Sequence, residues 1–162
     1  MKRTSDKSVV LLVCLLSALA LAQHRKSQSV ERQHVLDGQF TVIARTEDMP
    51  PNAKRAFSQF TLDPSFALAN PGEKYQVNDV VMMGQNLPFR RLLFAGQADN
   101  KWFIHYEKGG RLGGYYVLVF TVNQLGTAQF VWGGGGAKGA KGLEQLRGMV
   151  AAGQFSEQEH IW

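Results

Sequence analysis

The stretch Lys101–Asn123 reads KWFIHYEKGGRLGGYYVLVFTVN and predicts the centre of the fold. It contains two runs of aromatic and β-branched residues, Trp102–Tyr106 and Tyr115–Val122, which fit the pleated, mostly buried surface of a sheet. Four glycines between the runs permit the positive φ angles that a chain reversal often needs: Gly109, Gly110, Gly113 and Gly114. We therefore predict a β-hairpin at the middle of an antiparallel sheet.

Two further β runs flank this hairpin. Phe89–Gln97 precedes it and ends at a tight turn that contains Asp99 and Asn100. Thr127–Trp132 follows it after a turn at Asn123–Gly126. Short connections between successive β runs indicate hairpins, so residues from about 89 to 132 are predicted to form a four-strand antiparallel meander.

Two amphipathic helices are predicted outside the meander. The first covers about residues 49–62, with Asp48 as a plausible N-cap and apolar residues at helical spacing: Ala53, Ala56, Phe57 and Phe60. The second covers about residues 142–153, where Leu143, Leu146 and Val150 recur at the same spacing.

The order of the elements predicts an α+β fold with a curled antiparallel sheet. A first strand at Gln39–Arg45 precedes the first helix. Within the poorly patterned residues 63–88, Tyr75 and Val77, together with Val80 and Val81, indicate a short strand. We expect the helices to pack on one face of the sheet. Because Tyr115–Val122 has apolar residues at successive positions, its other face also needs a cover, from the loop at 63–83, another subunit or a partner.

Residues 1–22 are predicted to be a cleaved signal peptide. Lys2, Arg3 and Lys7 precede the apolar run Val9–Ala22, and small residues before Gln23 suit a signal peptidase. We expect a polar N-terminal tail over 23–37, a single domain over 38–155 and a C-terminal tail over 156–162. The chain has 1 cysteine, Cys14, which lies in the segment predicted to be removed, so the mature chain would have no disulfide. We expect the mature chain to be periplasmic or secreted.

The charge of the chain indicates which partners to expect. Loss of residues 1–22 would lower the formal net charge from +5 to +3. A nucleic-acid partner normally requires a denser basic face, so none is expected. No stable membrane anchor is expected after cleavage, although attraction to anionic envelope surfaces stays open. We expect no cofactor and no metal site.

His105 is the residue of the hairpin that is best suited to acid–base chemistry or ligand binding. Side chains alternate along a strand, so Phe103, His105 and Glu107 are predicted to share one face. Glu107 could orient the imidazole as a general base, while Arg111 and Tyr116 could supply an anion contact and a proton donor. These five residues form the candidate binding site, with His105 and Glu107 as weak catalytic candidates. No nucleophile accompanies them, since no G-x-S-x-G elbow is present.

Two other features of the sequence invite a functional interpretation. The segment Gly133–Gly142 follows a strand and precedes a helix and contains Lys138 and Lys141. A phosphate-binding loop needs Gly-Lys followed by Ser or Thr, whereas here Gly139 is followed by Ala140 and Lys141 by Gly142, so we interpret the segment as a flexible connector. Of Arg90 and Arg91, one is expected to turn inward toward a carboxylate such as Glu107, and the other to face solvent.

These patterns favour a small exported binding module that recognises an unidentified protein or small molecule of the envelope. Inhibitor-like, immunity-like and envelope accessory proteins are of this kind. A small hydrolase or isomerase centred on His105 and Glu107 is the alternative. A protein that self-associates through its sheet, as a homodimer, is a second alternative.

Overall fold

The computed structural model describes residues 34–79 and 86–157. The predicted signal peptide, most of the predicted N-terminal tail and the end of the C-terminal tail lie outside the described residues. Within them, no helix is long and apolar enough to cross a membrane.

Seven strands and two helices make up the described chain. They are β1 (Thr41–Ile43), α1 (Pro51–Thr61), β2 (Leu68–Ala69), β3 (Arg90–Ala98), β4 (Lys101–Lys108), β5 (Gly114–Val122), β6 (Ala128–Gly136), α2 (Leu143–Ala151) and β7 (Ser156–Glu157). The strands form one open sheet in the order β1-β3-β4-β5-β6-β7, with β2 also paired to β3. The pairing of β2 with β3 is parallel and the others are antiparallel. The predicted α+β class and its four-strand meander are confirmed.

The hairpin of β4 and β5 lies at the middle of the sheet, as predicted. His105 is opposite Val117 and Tyr106 is opposite Tyr116, so the two strands pair without a break in register. A β-bulge interrupts the pairing of β3 with β4 between Leu92 and Phe94. The bulge adds a residue to β3, which turns Phe94 toward the face that also carries His105.

One face of the sheet is covered by α1. Ala53, Ala56 and Phe57 of this helix are buried against Trp102, Ile104 and Tyr106 of β4 and against alternate residues of β5: Tyr116, Leu118, Phe120 and Val122. The edge of the Phe57 ring meets the Tyr106 ring at a centroid distance of 5.3 Å. The predicted helix is therefore confirmed, although it begins after Pro50 with no side-chain cap, rather than at an Asp48 cap.

The other face is covered by α2 and by the segment before β1. Leu146, Met149 and Val150 pack with Phe103, Val117 and Val119, and with Val35 and Leu36. The expectation that both helices pack on one face was wrong. Tyr115–Val122 lacks polar alternation because each of its faces meets a different helix of the same chain, so this strand needs no second subunit as a cover.

The glycine run after Trp132 is a strand and not a flexible connector. Gly133 to Gly136 pair with Leu118 to Tyr115 of β5. A Cβ on Gly134 would lie 2.6 Å from the Trp132 ring, and a Cβ on Gly136 would lie 2.8 Å from the Gln154 carbonyl oxygen. Glycine is needed here because an indole ring and the chain before β7 lie directly against the backbone of β6.

Four smaller predictions are also corrected. The expected tail over 23–37 and the tail over 156–162 both overlap the folded part, since Val35 and Leu36 are buried and Ser156 pairs with Gly135. The first strand is shorter than predicted because only Thr41–Ile43 reaches β3. No strand forms at Tyr75–Val77, and the short strand of this region is β2 instead. Val80 and Val81 lie outside the described residues.

Candidate functional site

His105 is fully buried and has backbone partners on both ring nitrogens. Its Nδ1 donates to the Tyr116 carbonyl oxygen at 2.8 Å, and its Nε2 accepts from the Ala140 N–H at 2.9 Å. The rings of Phe94 and Phe155 meet the imidazole edge-on at 5.3 and 5.7 Å between centroids. These contacts require the neutral tautomer with the proton on Nδ1.

The electrostatic environment of His105 opposes its protonation. Burial lowers the pKa of the imidazole to about 4, and the hydrogen bond to the Tyr116 carbonyl only partly offsets this effect. A general base must reach the proton that it removes, and a buried ring with both nitrogens already bonded cannot do so. The geometry gives His105 the role of joining β4 and β5 to the segment before α2.

Glu107 belongs to a separate cluster at the end of β4. Its carboxylate forms an ion pair with Arg91, which lies directly opposite on β3, and accepts the Tyr75 hydroxyl at 3.0 Å. The Arg91 guanidinium also stacks over the Tyr75 ring at 4.5 Å and donates to the Glu73 carbonyl at 3.2 Å. This cluster fastens residues 73–76 to the sheet.

The expected pairing of one arginine with Glu107 is therefore present, and Arg91 is that residue. Arg90, the other arginine, was expected to face solvent, but it does not. It is 8% exposed and forms an ion pair with Asp63 at 3.2 Å, and it also donates to the Thr61 carbonyl at 3.2 Å. Arg90 thus holds the end of α1 against the sheet.

The structure does not bring the five candidate residues into one site. Phe103 and His105 are buried on the face covered by α2, while the carboxylate of Glu107 bonds to Arg91 and Tyr75 rather than to the imidazole. Tyr116 lies on the opposite face, where its ring stacks on Tyr106 at 5.6 Å. Only the Tyr116 backbone reaches His105.

Arg111 and Tyr116, however, lie together at a surface cleft of about 550 Å³. The Tyr116 hydroxyl donates to the Leu112 carbonyl at 2.7 Å and fixes the turn between β4 and β5. The Arg111 N–H donates to the Asp79 carboxylate at 3.0 Å, which ties the same turn to residues 76–79. Burial raises the pKa of Tyr116, so its hydroxyl remains a protonated donor at neutral pH.

Glycines of β5 and β6 form part of the wall of this cleft. We call it the Arg111 cleft, and its described lining consists of Arg111, Leu112, Gly113, Gly114, Tyr116, Gly135, Gly136, Ala137, Gln154 and Ser156. The absence of a side chain on Gly114 leaves room beside the Tyr116 ring, since a Cβ there would lie 3.7 Å from the ring, whereas the space at Gly136 is filled by Gln154 and Phe155. Among these residues Arg111 carries the one charged side chain, and the Asp79 carboxylate that accepts its backbone N–H lies outside the described lining.

Sequence reasoning identified Arg111 and Tyr116 but missed the rest of the cleft. Gln154 and Ser156 were assigned to the end of a helix and to a tail, and the glycines of β6 were assigned to a loop. The signal that could have found them is the bulky Trp132 before four glycines, which indicates a strand with another chain segment close to its backbone.

A second groove, of about 610 Å³, follows the outer face of α1. It is lined by Lys54, Arg55, Ser58, Gln59, Leu62, Pro64, Ser65 and Phe66. The Lys54 ammonium lies 5.6 Å from the centroid of the Phe66 ring, a distance at which cation and ring attract each other.

Among residues 34–79 and 86–157, no three His, Cys, Asp or Glu side chains are grouped as metal ligands. Comparison of the chain with protein-family models, with curated proteins and with solved structures found no match.

Proposed function

We propose that this chain is a small exported binding module and that its ligand, a peptide or small molecule bearing a carboxylate, occupies the Arg111 cleft. The observation that carries the proposal is the juxtaposition of an exposed arginine, a tyrosine ring and glycine backbone around one open cavity. Arg111 supplies the charge, and the Tyr116 ring and the Leu112 side chain supply apolar contact.

The contacts of His105 favour binding over hydrolysis or isomerisation. A catalytic imidazole would need a free nitrogen at a cavity, whereas both nitrogens of His105 are bonded within a fully buried cluster. The carboxylate that was expected to orient it is bound to Arg91 instead. The alternative enzyme hypothesis therefore lacks a reacting centre at these two residues.

The coverage of both sheet faces by the chain's own helices also removes the argument for association through a sheet face. The proposed export depends on residues 1–22, which lie outside the described residues. Purification of the protein from a bacterial periplasm tests that part, and the expected N-terminal residue is Gln23. Retention of Met1 would contradict it.

The binding proposal is tested by titrating the ¹⁵N-labelled protein with N-acetylated dipeptides that carry a free C-terminal carboxylate. We expect saturable shifts of the backbone amides of Gly113, Gly114 and Gly136, which line the cleft. The same dipeptides with an amidated C-terminus remove the negative charge and should bind more weakly. No saturable shift with any dipeptide at millimolar concentration would contradict the proposal.

A matched pair of charge reversals locates the site. Arg111→Glu should weaken dipeptide binding by up to about fivefold, because one exposed ion pair contributes up to about 1 kcal/mol. Arg55→Glu makes the same change in the groove on α1 and should leave binding unchanged. Equal binding by wild type and Arg111→Glu would place the ligand elsewhere.

A further inference from the structure

The groove on α1 adjoins two leucines that are almost fully exposed. Leu62 follows the last residue of α1 and is 89% exposed, and Leu125 lies in the turn between β5 and β6 and is 91% exposed. Arg55 connects them, because it lines the groove with Leu62 and its Nη2 lies 3.6 Å from the position of a Cβ on Gly126.

The backbone at Leu62 makes its exposure more unusual. Leu62 has φ 54° and ψ 31°, the left-handed conformation that glycine or asparagine adopts more easily at a helix end. The N–H groups of Leu62 and Asp63 both donate to the Ser58 carbonyl oxygen, so this conformation caps the C-terminus of α1. It leaves the Leu62 side chain in solvent, without contacts that would bury it.

The charged side chains that line the groove beside Leu62 are positive. The described lining of the groove contains Lys54 and Arg55 and no carboxylate. The nearest acidic residue along the chain from Leu62 is Asp63, whose carboxylate is held by Arg90 and by the Ser65 hydroxyl. A partner that offers negative charge together with an apolar interior would complement this surface.

We propose that Leu62 and Leu125, with Lys54 and Arg55, form a docking surface for an anionic lipid bilayer. The two leucines project from separate turns, and Leu125 does not line the groove, so a peptide held in the groove would leave Leu125 in water. A bilayer contacts both at once: the leucines enter the headgroup region while the cations attract anionic lipids.

This orientation is compatible with the Arg111 cleft. The Leu125 turn follows one end of β5, and the cleft is lined by Gly114 and Tyr116 at the other end. A nine-residue strand is about 25 Å long, so Leu125 can contact lipid while the cleft stays open to solvent.

Cosedimentation with sucrose-loaded vesicles tests the proposal, with protein purified from cells that express the full chain. All variants share the same N-terminal segment, so any binding through residues 1–33 is common to them. We expect the wild type to bind phosphatidylcholine vesicles containing phosphatidylglycerol more strongly than vesicles without it. The double variant Leu62→Ser/Leu125→Ser should lose at least about tenfold in partitioning, since two inserted leucines are removed.

Two further double variants separate electrostatic attraction to anionic lipid from nonspecific adsorption to vesicles. Lys54→Gln/Arg55→Gln should abolish the preference for phosphatidylglycerol. Leu112→Ser/Arg111→Gln makes matching changes at the Arg111 cleft, where Leu112 is 60% exposed, and should bind vesicles like the wild type. Binding that is independent of phosphatidylglycerol, or unaffected by loss of both leucines, would overturn the proposal. A protein dimer that Leu62→Ser/Leu125→Ser dissociates would also overturn it, in favour of a second copy of the chain.

Discussion

The backbone N–H of Ala140 donates a 2.9 Å hydrogen bond to Nε2 of His105, across 35 residues of sequence. Ala140 is 4% exposed, so neither partner of this bond can turn to water instead. The bond fixes the segment between β6 and α2 on the central hairpin and thereby sets where α2 begins. His105, the residue whose side-chain chemistry suggests catalysis, therefore has a structural role.

The stability of the fold should depend on the charge of His105. The pKa of its imidazole is lowered from 6.5 to about 4 by burial, so between these pH values the unfolded chain binds a proton that the folded protein does not. The free energy of unfolding therefore falls as the pH decreases through this window, by about 3 kcal/mol at its lower end. Urea denaturation of the wild type and of His105→Gln at several pH values measures this contribution.

The difference in unfolding free energy between these two proteins should shrink as the pH decreases, because other titrating groups are common to both. A constant difference between wild type and His105→Gln from neutral pH to pH about 4 would contradict the assigned environment.

Glycine to alanine substitutions should have opposite effects at two positions. Gly134→Ala places a Cβ 2.6 Å from the Trp132 ring, so we expect a loss of about 1–3 kcal/mol in unfolding free energy. Gly148→Ala adds a methyl group to α2 with no heavy atom within 4 Å, and should stabilise by up to about 1 kcal/mol. Thermal denaturation distinguishes them, and a neutral Gly134→Ala would show that the indole does not pack on β6.

The ion pair of Arg91 with Glu107 should contribute to stability. The Glu107 side chain is only 9% exposed, so Glu107→Gln leaves the Arg91 guanidinium without a counterion at a largely buried position. We expect a loss of about 1–3 kcal/mol in unfolding free energy. Glu144→Gln breaks the pair with Arg147 at a carboxylate that is 85% exposed, and should change the unfolding free energy by less than about 0.5 kcal/mol. Chemical denaturation that gives equal losses would contradict this assignment.

The β4–β5 hairpin was predictable because its residues decide its structure locally. Aromatic and β-branched runs on either side of Gly109–Gly114 have few alternatives to a β-hairpin. The same run, Tyr115–Val122, indicated that both sheet faces are buried. It could not indicate which element covers each face, since that depends on how residues distant in sequence pack.

The candidate site was less predictable for the same reason. The partner of His105 is a backbone N–H, which has no signature in the side-chain pattern. Glycine usually indicates a turn, so the sequence predicts a loop at Gly133–Gly136. These residues instead form a strand without side chains, because the Trp132 ring and the chain at Gln154 pack directly against its backbone. Arg111 and Tyr116 were chosen for their chemistry, and the structure adds the cleft that they share.

We propose that the ligand binds at the Arg111 cleft and that His105 takes no part in binding it. The most direct measurement is the dissociation constant of the tightest-binding carboxylate dipeptide for Ala137→Trp and His105→Gln at neutral pH. Ala137 is an exposed lining residue, so an indole there fills the cleft without disturbing the core, and Ala44→Trp at the exposed residue after β1 is its control. We predict that Ala137→Trp abolishes binding while His105→Gln and Ala44→Trp retain it. Loss of binding in folded His105→Gln, with normal binding by Ala137→Trp, would contradict the claim.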